Sequence, residues 1–100
     1  LTSKQVAIGY IRRDVSGISQ NWDEIQIRSL ASRLRYDLAK TIVFEAGTNA
    51  PIAKLMNAVW AANAAAVIVP SVWHFGPTVP AELVTLADVI TVRPRHTYTR

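Results

Sequence analysis

The sequence predicts an α/β fold: a three-layer sandwich in which a small, mostly parallel four-stranded sheet carries helices on both faces. Three observations predict it. Strand and helix periodicities alternate along the whole chain. Residues 65–69, Ala-Ala-Val-Ile-Val, form an uninterrupted apolar run of the kind found in central strands covered on both sides. No repeat, low-complexity tract or linker divides the 100 residues, and a composition that is 50% hydrophobic and 18% charged suits one folded core.

The first strand is read at Gln5–Arg12, an apolar run that ends in Tyr10-Ile11-Arg12 and empties into the small-residue segment Asp14-Val15-Ser16-Gly17-Ile18-Ser19. Asn21 is placed to cap the next helix, with Glu24 completing a capping box and Asp23 adding negative charge to the first turn. That helix is expected to reach about residue 39, because Ile27, Leu30, Ala31, Leu34 and Leu38 share one face. The β-branched and aromatic run at 41–44 suits the second strand, and Gly47-Thr48-Asn49 breaks it. Pro51 fits the first turn of a second helix whose apolar face is Ile52, Leu55, Met56, Val59 and Trp60. The third strand, 65–69, stops at Pro70. A loop at 71–77 follows, and Thr78 is the expected cap of a short helix running to about residue 87, with Val79 and Leu83 as a staple. The fourth strand is 89–92. The domain therefore spans 1–92, and 93–100 reads as a frayed basic tail holding Arg93, Arg95 and Arg100.

Right-handed crossovers bring the carboxyl ends of the strands to one edge, where doubly wound sheets bind ligands. The loops at 13–20, 45–49 and 71–77 meet there. Arg12 and Arg13, followed by the Ser/Gly segment, could hold an anion; the competing reading pairs Arg12 with Asp14 or Glu45. Trp73, His74 and Phe75 form an aromatic segment suited to a protein contact or base stacking, unless Trp73 or Phe75 folds back over strand three. Ser16, Ser19, Ser71, His74 and Asp14 supply the residue types of a hydroxyl, imidazole and carboxylate site, but no Gly-x-Ser-x-Gly elbow accompanies them. Trp22, Trp60 and Tyr10 are expected in the core or at its flank. His74 has no metal partner at useful spacing, and no cofactor or metal is expected.

Composition sets the remaining bounds. Without cysteine there are no disulfides or thiolate-held metals. No stretch approaches the ~20 apolar residues of a membrane span, the first residues lack the layout of a signal peptide, and a cytoplasmic location without membrane contact is expected. Met56 is the only methionine, which leaves flanking sequence open. A net charge of +4 and a pI near 10.0 suit an anionic partner only weakly. The tail has two open readings, a solvated end or a contact with nucleic acid or another acidic surface.

Tyr10-Ile11-Arg12, Gln26 in the first helix, Ala46-Gly47 followed by Pro51, and Val67-Ile68-Val69 leading to Phe75-Gly76 together resemble the catalytic domain of the serine recombinases, the resolvase/invertase family. The resemblance covers roughly 5–92 and implies a resolvase-like fold. In that family the first motif is Tyr-x-Arg-x-Ser, whose serine attacks a DNA phosphodiester; here Asp14 holds the serine position, and Ser16 is the nearest substitute. The family's other phosphate-stabilising arginines fall on Ala50 and on the segment Trp73-His74-Phe75-Gly76-Pro77, so Arg12 alone is retained. Loss of one such donor costs ~3–4 kcal/mol of transition-state stabilisation.

The resemblance is therefore to a degenerate, truncated member, which, if the chain is complete, lacks the family's long DNA-crossing helix. It implies a catalytically inactive binding or regulatory module, in the setting of a DNA transaction. Its contact residues would be Arg12, Arg13, Ser16, Trp73, His74 and Phe75. A protein partner is expected, with weak DNA contact and homo-oligomerisation left open. The rival reading is an enzyme or binder for a phosphate-bearing small molecule at the carboxyl edge of the sheet.

Overall fold

In the computed structural model, which describes residues 3–100, the first strand β1 (Gln5–Arg12) is buried on both faces, and this explains its apolar sequence. Its residues alternate between two cores. Ile8 and Tyr10 join Val67, Val69 and Val89 under α3 (Pro51–Ala62) and α4 (Ala81–Val84), whose Leu55, Val59 and Leu83 are buried there. Ala7 and Ile11 join Ala66, Ile68 and Ile90 under α2 (Gln20–Arg33), through Ile27, Leu30 and Ala31. Helices thus cover both faces of the sheet, as the continuous apolar strands require.

The sheet has five strands, not four, in the order β2 (Tyr36–Phe44), β1, β3 (Ala66–Val69), β4 (Asp88–Thr91), β5 (His96–Tyr98). The first four run parallel. β5 is antiparallel to β4, so the segment read as a frayed tail folds back as an edge strand. Three ties hold it: the ladder to β4, a hydrogen bond from the Thr91 hydroxyl to the Pro94 carbonyl, and one from the Arg100 N–H to Asp88. A sheet boundary at residue 92 is accordingly replaced by one that includes 96–98.

Helix boundaries differ from the periodicity reading for local reasons. The chain turns helical directly after β1, as α1 (Arg13–Ser16) and a 3-10 turn at Gly17–Ser19, so Asn21 lies inside helical backbone and forms no capping box. α2 stops at Arg33 because Arg35 takes a left-handed conformation with φ 64°, and the chain then enters β2. Leu38 packs on the same core as Leu30 from the strand, not the helix. α3 begins at Pro51 as read, but Trp60 lies 79% exposed on its outer side. Trp22 is also exposed. α4 is a single turn that begins after Pro80, not Thr78, although Val79 and Leu83 do share a core.

β2 is an open sheet edge. One extra residue, Ala39, bulges between Leu38 and Lys40 opposite the Ala7–Ile8 step. A bulge and a lysine on an edge strand both oppose pairing with a further strand.

Candidate functional site

The chain runs from β1 outward to β2, then crosses to β3 on the other side of β1. The carboxyl ends of β1 and β3 therefore flank the point where the strand order reverses, the crevice position of doubly wound sheets. The residues leaving these two strands build the site. α1 and its 3-10 continuation leave β1, and a 3-10 turn at Val72–His74 follows β3.

His74 joins the two. It is 2% exposed, and its Nδ1 accepts a hydrogen bond from the Arg12 N–H at 3.0 Å. Protonating Nδ1 would set a donor against a donor, so the imidazole is held neutral with its proton on Nε2. Burial pushes the His74 pKa below its usual value; Asp23 acts upward, Arg93 and Arg12 downward, and Asp14 upward.

The arginines are engaged with neighbours. The Arg12 guanidinium grips Asp14 through two bonds, Nε to Oδ1 at 3.1 Å and Nη2 to Oδ2 at 2.7 Å. Of the two partners the sequence offered for Arg12, Asp14 is the one it takes. Arg13 turns away to Glu45, 2.7 Å from Nη1 to Oε1, and also donates to Gln20. Ser16 points inward, its hydroxyl donating at 2.6 Å to the buried carboxylate of Asp23. The other Asp23 oxygen accepts from Arg93 Nη2 at 2.9 Å.

Phe75 folds back and stacks on Tyr10, with ring centroids 5.2 Å apart and planes 9° from parallel, while Phe44 meets Tyr10 edge-on. Tyr10 is fully buried, and its hydroxyl finds no hydrogen-bond partner among the described residues. Burial raises its pKa, opposed by Arg12 and assisted by Asp14. Trp73, beside these buried groups in sequence, is 68% exposed.

The structure thus gathers Arg12, Ser16, His74 and Phe75 at the switch point, leaves Trp73 in solvent and sends Arg13 toward the loop after β2. Two members escaped the sequence reading, Asp23 and Arg93. A signal for Asp23 was present: it shares the core-facing phase of Ile27, Leu30, Ala31 and Leu34, where a carboxylate must be paired. Arg93, read as part of the tail, leaves the carboxyl end of β4 and supplies that pairing.

Chemically the arrangement is closed. No hydrogen bond among the described residues links Ser16 to His74, the Ser16 proton is committed to Asp23, and the unprotonated imidazole nitrogen is occupied by a backbone N–H. Among the described residues, no three His, Cys, Asp or Glu side chains gather as a metal site, and no helix is long and apolar enough to cross a membrane. Open clefts of about 360, 400 and 630 Å³ lie at the opposite, amino edge, lined in part by Lys4, Asn63, Ala64 and Arg100.

The buried imidazole sets a pH dependence. Its folded pKa lies below the unfolded value of about 6.5, so the unfolded chain takes up a proton first as pH falls. The contribution is present above about pH 6.5 and is lost between that pH and the lower folded pKa. Urea unfolding at about pH 7.5 and 5.5 should show this loss, and His74→Gln, which keeps an acceptor for Arg12, should flatten it. An equal pH dependence in the variant would assign the effect elsewhere.

Compared with known proteins, the chain matches no family model, no curated protein and no solved structure.

Proposed function

We propose that the chain is a catalytically inactive, resolvase-like domain that serves as a binding or regulatory module in a DNA transaction, with a protein as its main partner. One observation carries the reading. The position at which the resemblance expects the nucleophilic serine holds Asp14, and this carboxylate neutralises the one arginine the resemblance retains, in a two-bond pair. A DNA phosphate approaching Arg12 would have to displace a carboxylate already in place and would meet its negative charge. Ser16 offers no replacement, since its hydroxyl is buried against a second carboxylate. A phosphate-bearing small molecule faces the same obstacle at Arg12. What the edge presents to a partner is an exposed indole, Trp73, beside arginines balanced by their own acids, and exposed aromatics of this kind anchor protein contacts.

The test is incubation with duplex DNA followed by denaturing electrophoresis. No covalent adduct is expected from the wild-type protein. An adduct that disappears in Ser16→Ala would establish residual strand-cleavage chemistry and overturn the reading.

A further inference from the structure

The two edges of the sheet differ in charge. All three ion pairs among the described residues, Arg12–Asp14, Arg13–Glu45 and Arg93–Asp23, lie at the carboxyl edge. At the amino edge Lys4, Arg35 and Arg100 are exposed, and none has a carboxylate partner among the described residues. One carboxylate stands among them, Asp88, whose Oδ1 accepts the Arg100 backbone N–H at 2.7 Å. Asp37, exposed near the start of β2, does not line the clefts.

The three clefts of this edge form one groove. The cleft of about 630 Å³, walled by Arg35 and Tyr36, shares Lys4 and Gln5 with that of about 360 Å³. The latter shares Asn63, Ala64 and Arg100 with the cleft of about 400 Å³, which Trp60 walls. The groove thus crosses the ends of β2, β1, β3 and β4, three strand spacings or ~15 Å. Along it an aromatic ring stands at each end, half-buried Tyr36 and Trp60 at 79% exposure, with Lys4 and Arg100 between them.

This order selects the ligand. The helices that end at this edge, α2 and α3, present their carboxyl ends, so the edge offers a compact phosphate no helix start to sit on. An anion here is held by spaced side-chain cations, which requires an extended chain of charges. Aromatic rings flanking such a row suit a chain whose flat bases are free to stack, as in a single strand and not in a duplex. An acidic peptide would use the cations and leave the rings idle.

We propose that the amino-edge groove binds single-stranded nucleic acid, with phosphates on Lys4, Arg35 and Arg100 and a base stacked on Trp60. The groove lies at the opposite end of the molecule from Arg12 and Asp14, so the proposal does not rest on the reading of the carboxyl edge.

Anisotropy of a labelled oligothymidylate of about 12 nucleotides tests it, titrated at low salt with up to about 0.1 mM protein, the weak end of non-specific affinity. The wild type should bind the single strand more tightly than a duplex of the same length or an oligoglutamate of the same charge. Lys4→Ala and Arg100→Ala should each lower the slope of log affinity against log salt by about 0.7, the value for one phosphate contact on a single strand. Trp60→Ala should weaken binding about 10-fold, the scale of one lost stacked base, and leave the slope unchanged. Lys54→Ala, at the start of α3, should not alter the slope, and Trp22→Ala should not alter the affinity, with circular dichroism showing every variant folded. No binding by the wild type overturns the proposal. So does a duplex or oligoglutamate bound as tightly as the single strand, or binding indifferent to Trp60→Ala.

Discussion

Asp23→Ala is expected to lower folding stability by about 3 kcal/mol, close to what breaking a buried charge pair costs. The Asp23 side chain is 2% exposed and accepts from both Ser16 and Arg93, so its removal strands a buried hydroxyl and a cation in one step. Hydrogen bonds to charged groups contribute about 1.5–3 kcal/mol each, but Arg93 is 52% exposed and recovers part of its loss from water. Asp23→Asn, which keeps the shape and one acceptor, should fall between wild type and Ala. Ser16→Ala should cost about 2 kcal/mol, less than Asp23→Ala, because Asp23 keeps its cation. Urea unfolding of the four proteins measures the series; a loss below about 1 kcal/mol in Asp23→Ala would mean that water already reaches the carboxylate.

Gly9→Ala is expected to destabilise by about 2 kcal/mol, in the range of overpacked cores. A Cβ at Gly9 would sit 2.5 Å from Thr41 Oγ1, 3.0 Å from Ile27 Cγ2 and 3.1 Å from Thr41 Cβ. Neither neighbour yields freely: Thr41 is β-branched on the adjoining strand, and Ile27 belongs to the core beneath α2. The usual strand advantage of alanine over glycine, about 0.5–1 kcal/mol, offsets only part of the clash. Thr41→Ala in the Gly9→Ala background removes the closest contact and should restore part of the loss, a coupling of about 0.5–3 kcal/mol between touching residues. Additive effects of the two substitutions would place the strain elsewhere.

The strands were legible where burial on both faces leaves no choice of residue. Residues 66–69 are all buried, and Gln5–Arg12 matches the first apolar run. The boundary between α2 and β2 was not legible, since Leu38 continues the helical spacing of Leu30 and Leu34 yet reaches the same core from a strand. Only the left-handed turn at Arg35 decides between the two, and arginine does not advertise that conformation as glycine would. β5 was hidden because His96-Thr97-Tyr98 is short and flanked by arginines, so charge outweighed its alternation. At the site, sequence order supplied Arg12, His74 and Phe75, as all three leave strand ends. It could not supply the Arg93–Asp23 pair, which links positions 70 apart. Trp22 and Trp60 lie on outward helix faces, since apolar character alone does not dictate burial.

The central claim is that the strand-end arginines are neutralised by their own carboxylates and do not serve as phosphate ligands. Its most direct test is the fluorescence anisotropy of a labelled generic duplex titrated with the protein across a salt series, for wild type and for Arg12→Ala/Arg13→Ala. The expected result is weak binding, sustained by the net charge of +4, with the same slope of log affinity against log salt in both proteins. A slope smaller in the variant by about one for each arginine removed would show both side chains on DNA phosphates and contradict the claim.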